Sequence, residues 1–70
     1  MKFSKLTKPE LERIIENANF TEEEVRIFTL LSRNFAQKEI AHRLSMSTRT
    51  LERRVRNIKN KIERVVNEWS

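Results

Sequence analysis

Arg49, Glu52, Arg53, Arg56 and Asn60 are the side chains of this chain whose types and spacing can do chemistry together. Taking Leu51 as the inward reference at about 100° per residue, these five fall on the opposite arc of a helix, within about 80° of its centre. A guanidinium there can pair bidentately with guanine O6/N7, and Glu52 can accept from cytosine N4. Thr48 or Arg49, at the start of such a helix, can hold a phosphate, and Lys59, Lys61 and Arg64 further along suit backbone contacts. The chemistry on offer is recognition of a polyanion with ordered bases, not bond making.

Other reactive sets cannot be assembled. All the acidic residues are Glu, and the chain has no Asp, no Cys, no Gly and one histidine, His42. Disulfides, thiolate metal sites, Ser-His-Asp triads and Gly-rich phosphate loops are excluded together. A lone His42 without a second ligand reads as a surface or phosphate-adjacent residue, so no metal, cofactor or catalysis is expected. Glu22, Glu23 and Glu24 are better explained as partners of a helix dipole than as an acid–base pair.

Seventy residues allow one small domain, and a net charge of +5 with a pI near 10.3 favours polyanionic partners. The charge is uneven, at −2 over residues 1–24, +3 over 25–48 and +4 over 49–70. No apolar run approaches the roughly 18 residues of a membrane span, and Met1–Lys8 is charged where a signal peptide is apolar. A cytoplasmic protein of a bacterial or phage-infected cell is expected.

The elements that must position this face read as helices throughout, since a chain without Gly and with one Pro lacks the turn residues that small sheets use. A first helix, about 8–18, opens with Thr7, Pro9 and Glu10 as cap, first-turn proline and capping-box acid, and carries Leu11, Ile14, Ile15 and Ala18 on one face. A second, about 22–33, repeats the capping box in Thr21–Glu24, turns Ile27, Leu30 and Leu31 inward, and stops at Asn34, which tolerates the left-handed region. A third, about 37–44, buries Ile40, Ala41 and Leu44. Ser45-Met46-Ser47 forms a tight turn with Met46 beneath it and Ser47 as the next cap. A fourth, about 48–67, shows Leu51, Val55, Ile58, Ile62, Val65 and Trp69 at alternating spacings of 4 and 3, widened by Val66. Phe20, Phe28, Phe35 and Leu31 are needed for the core of so small a domain rather than for a ligand pocket.

Two helices joined by a three-residue turn, the second basic, form the unit that places a recognition helix in the major groove. A solvated charge face needs neither a small Ala41 at the closest helix approach nor the Ser-Met-Ser turn; a groove-reading helix needs both. The segment from Phe20 through Ile40-Ala41, and on from Leu44-Ser45-Met46-Ser47-Thr48-Arg49-Thr50-Leu51-Glu52 to Ile58 and Lys61-Ile62, resembles the LuxR/GerE-type helix-turn-helix domain, without gaps. Lys38-Glu39-Ile40-Ala41, with Ser47 and Thr50 three residues apart, is the most specific part of that likeness.

The resemblance implies an all-α, four-helix (tetrahelical) helix-turn-helix domain and a sequence-specific transcription regulator that binds double-stranded DNA. It implies base contacts from Glu52, Arg53 and Arg56, and backbone contacts from Gln37, Lys38 and Thr50. Asn34 stands where the family usually has Gly, Ala36 replaces the usual Ser/Thr cap, and Glu52 replaces a usual Lys. The family normally breaks after the position of Ile62 and starts a separate dimerisation helix, whereas Glu63–Trp69 continues the same helical pattern. Sigma-factor region 4 and sigma-like regulators of phages and mobile elements share this core, and the missing break resembles them somewhat better.

The stripe Ile62, Val65, Val66 and Trp69 can pack on the first helix or form a seam with a second chain, as a homodimer on DNA requires. A membrane-surface role fits poorly, because the basic face lies far from Trp69. The competing function is a protein-interaction module gripping RNA polymerase or another acidic regulator through the same basic helix.

Overall fold

Three of the four helices start after a residue whose side chain satisfies a free backbone amide. In the computed structural model, which describes residues 6–69 and their side chains as far as residue 67, the elements are α1 (Lys8–Asn17), α2 (Glu22–Ser32), α3 (Gln37–Arg43) and α4 (Thr48–Trp69). Both capping boxes form. Glu10 N donates to Thr7 Oγ1 at 3.4 Å while Thr7 N donates to Glu10 Oε1 at 3.0 Å; the same exchange joins Glu24 to Thr21 at 3.2 and 2.9 Å. At α4, Thr50 N donates to Ser47 Oγ at 3.1 Å. Ala36 gives α3 no side-chain cap.

The helices end without glycine. Asn19, Asn34 and Ser45 take the left-handed region at φ 56°, 67° and 53°. After α2, Phe35 N donates to Leu30 O at 3.1 Å and Asn34 N to Leu31 O at 3.0 Å. After α3, Met46 N donates to Ala41 O at 2.9 Å and Ser45 N to His42 O at 3.2 Å. Both are Schellman closures, which fold the residue after the left-handed one back over the helix end. Phe35 and Met46 therefore lie half-buried against the core rather than fully inside it. Phe20 follows the left-handed Asn19, and its ring centroid lies 5.4 Å from that of Phe28.

One core joins all four helices: Ile14 and Ala18 of the α1 end, Ile27 and Phe28 of α2, Ile40 and Ala41 of α3, and Leu51, Val55, Ile58, Ile62 and Val65 of α4. The 4,3,4,3 stripe is the buried face of α4, which packs on each of the other helices. At about 1.5 Å per residue α4 is about 33 Å long, nearly the 35 Å long axis of the molecule. Its far end is covered from within the chain: Ile62 is 0% and Val65 3% exposed, in one cluster with Ile14 and Ala18, and Val66 packs at the edge. No break separates the stretch after Ile62 from the rest of α4. The side chain of Trp69 lies outside the described residues. Among the described residues, no helix is long and apolar enough to cross a membrane.

Candidate nucleic-acid interface

The face of α4 opposite the Leu51–Val55–Ile58 stripe is open. Arg49, Glu52, Arg53, Arg56, Lys59 and Asn60 are all exposed. None of these side chains makes a hydrogen bond or ion pair within the chain among the described residues. Arg49 to Arg56 spans about 10.5 Å of helix rise, comparable to three steps of about 3.4 Å along a DNA strand. The three guanidinium groups are thus spread along one helix at rises of about 6.0 and 4.5 Å, and they need no internal bond to be broken before use.

The start of α4 adds donors. Thr48 is exposed, and Thr50 is half-buried with its Oγ1 accepting from Ser47 Oγ at 2.9 Å. Thr50 keeps its own hydroxyl hydrogen for another acceptor, beside the positive end of the α4 dipole. Gln37 and Lys38 are exposed on the first turn of α3. His42 is exposed on α3 beside Lys38, Glu39 and Arg43. Among the described residues no group of three or more His, Asp, Glu or Cys could hold a metal ion.

Two α4 cations are not on the open face. Arg54 Nε donates to Glu23 Oε1 at 2.5 Å, an exposed pair with side chains 46% and 45% accessible. Lys61, read from the sequence as a phosphate contact, donates instead to Glu24 Oε1 at 2.6 Å and to the Asn19 carbonyl at 3.3 Å. Its ammonium also lies 6.0 Å from the centroid of the Phe20 ring. Arg54 and Lys61 are seven residues apart on one flank, turned about 100° and about 80° from Arg53, and that flank faces the start of α2. Asn60 sits at the border, since it also lines the groove between α2 and α4 with Thr21, Arg54 and Arg64.

The role of the three glutamates is correspondingly divided. Glu22 is exposed at the α2 start, Glu23 pairs with Arg54, and Glu24 is buried. Burial pushes the Glu24 carboxyl up, but hydrogen bonds from Lys61 and from the Thr21 backbone outweigh it and hold the group below the usual carboxylate range. Sequence reasoning missed both cross-helix pairs; the available signal was that Arg54 and Lys61 share a flank apart from the other arginines. It also missed Arg43, whose guanidinium sits 4.6 Å above the centroid of the Phe35 ring.

The family model described as "Bacterial regulatory proteins, luxR family" matches residues 18–65, more than half of the chain. The match takes in α2, α3 and most of α4 and leaves α1 outside. No curated protein and no solved structure matches the chain at a significant level. The family match falls on the segment whose short α3, tight turn and long basic α4 form a helix-turn-helix, and the chain accordingly belongs to the luxR family of bacterial regulatory proteins, whose helix-turn-helix domains are DNA-binding regulators of transcription.

Proposed function

We propose that this chain binds double-stranded DNA sequence-specifically by laying α4 in the major groove, and regulates transcription from the site it selects. The observation that carries the reading is the row Arg49, Arg53 and Arg56, exposed and without partners among the described residues, on a rod whose other side is packed on the core. In this reading Arg53 and Arg56 pair with guanine edges, Glu52 accepts from cytosine, and Arg49 and Asn60 extend the base-reading row at its two ends. Gln37, Lys38, Thr48, Thr50 and Lys59 hold phosphates and fix the register. Lys61 leaves this set, because its charge is already met by Glu24. The domain would act in the bacterial cytoplasm, where the chromosome lies.

A single copy supports this mode, since Ile62 and Val65 are already covered inside the chain. Selection from randomised duplexes, followed by sequencing, tests the reading. One enriched motif is expected, and its symmetry reports whether one copy or two bind. Arg53→Ala should cost about 1–3 kcal/mol of base discrimination at one position. Failure to enrich any duplex, together with binding of acidic protein segments through α4, would replace DNA reading by the protein-interaction role.

A further inference from the structure

We propose that the Glu24–Lys61 pair is a positioning device that sets the angle at which α4 meets DNA, so that both residues determine base preference without touching a base or a phosphate. The inference rests on the duplex-binding reading above. Three contacts converge on one ammonium: Glu24 Oε1 at 2.6 Å, the Asn19 carbonyl at 3.3 Å and the Phe20 ring at 6.0 Å. All three belong to the α1–α2 connection and the first turn of α2, and the same Glu24 oxygen accepts from Thr21 N at 2.9 Å. A single carboxylate oxygen thus closes the α2 cap and grips α4.

Burial separates this pair from its neighbour. The Glu24 side chain is 7% and the Lys61 side chain 34% accessible, against nearly half for each member of the Arg54–Glu23 pair. An exposed pair contributes little and is screened by salt, whereas a buried one is directional and strongly felt if broken. The aliphatic stripe of α4 is not directional in this sense, because apolar contacts tolerate small rotations about the helix axis. Lys61 supplies what the stripe lacks, a fixed azimuth, from a point five residues and about 7.5 Å beyond Arg56. A rotation of about 10° moves a side-chain tip some 6 Å from the axis by about 1 Å, roughly twice the play a preorganised bidentate contact tolerates.

The test uses the full chain and the duplex selected for it, with Lys61→Met, which keeps an apolar stem, and Glu24→Gln, which keeps the capping box. Three readouts are taken: thermal melting, the salt slope of binding, and the affinity ratio between the selected duplex and one with a mismatched base pair. Both variants are expected to leave the salt slope unchanged and to lower the ratio about tenfold, the double variant no further than either single one. Lys61→Arg should restore most of the ratio. If Lys61→Met does not fold, Glu24→Gln carries the same expectations. A salt slope reduced by about 0.9 with an unchanged ratio would make Lys61 a phosphate contact, and a lowered melting temperature with both other readouts unchanged would make the pair merely structural; either result overturns the proposal. A wild-type chain that distinguishes no duplex overturns the duplex reading, and the proposal with it.

Discussion

The dependence of duplex affinity on salt follows from which cations the fold leaves free. Lys38, Arg49, Arg53, Arg56 and Lys59 are exposed toward the proposed DNA side without partners among the described residues, while Arg54 and Lys61 are engaged by Glu23 and Glu24. Counting each of these five cations as offsetting one phosphate charge whether its hydrogen bonds go to a base or to the backbone, at about 0.9 counterions each, log K should fall with log salt at a slope near −4.5 for one copy. Between 50 and 200 mM salt that is a loss of about 2.7 decades in affinity; two copies binding together would double the slope. Lys59→Ala should bring the slope to about −3.6 and weaken selected and mismatched duplexes by the same factor. Fluorescence anisotropy of a labelled duplex, titrated at four or five KCl concentrations, measures both quantities. A wild-type slope shallower than about −2, or a Lys59→Ala variant that alters base discrimination and leaves the slope in place, would refute the assignment of free and engaged cations.

Further outcomes follow from the packing and the caps. Ser45 holds φ 53° with a side chain, so Ser45→Gly should stabilise the domain by about 1 kcal/mol in thermal melting followed by circular dichroism; an unchanged midpoint would show that the turn carries no strain. Ile58 is 0% exposed, and Ile58→Ala should cost about 2–5 kcal/mol, much of the roughly 3.5–10 kcal/mol available to a domain of this size, so that retention of the wild-type denaturant midpoint would contradict its place in the core. Because the Glu24 carboxyl stays ionised to lower pH in the folded chain than in the unfolded one, unfolding takes up protons in acid. Its contribution is complete above about pH 5 and drains as the pH falls through the depressed folded value. Glu24→Gln should therefore flatten the acid limb of stability against pH, and an acid limb identical to the wild type would disprove the effect.

What could be read from the sequence was what is local in it. Thr7-x-x-Glu10 and Thr21-x-x-Glu24 announce their helices because a capping box needs only residues three apart, and both helices start there. The α4 stripe was legible because its period is that of the helix itself. Asn34 was legible as a left-handed stop, while Ser45 was legible as part of a tight turn but not as a left-handed residue, since serine seldom occupies that region and only the Schellman hydrogen bonds around it reveal why it does. Phe35 and Met46 were recognisable as apolar contributors but not as residues folded back over helix ends, a detail set by the backbone after each helix. The ion pairs were the least legible part. Glu23 and Arg54 are 31 residues apart and Glu24 and Lys61 are 37, so no periodicity links them, and a lysine on a basic helix is indistinguishable from a phosphate contact until its neighbour across the fold is known.

The claim on which the account turns is that the Arg49–Arg53–Arg56 face enters the major groove, and guanine N7 is an acceptor found only there. In the selected duplex, replacing each enriched guanine in turn with 7-deazaguanine removes that acceptor and leaves the Watson–Crick pair intact. The account predicts a loss of roughly tenfold or more at the guanine read by Arg53, a loss absent in the Arg53→Ala variant. Equal affinity for every 7-deazaguanine duplex, with weakening instead when inosine removes the minor-groove amine of guanine, would contradict it.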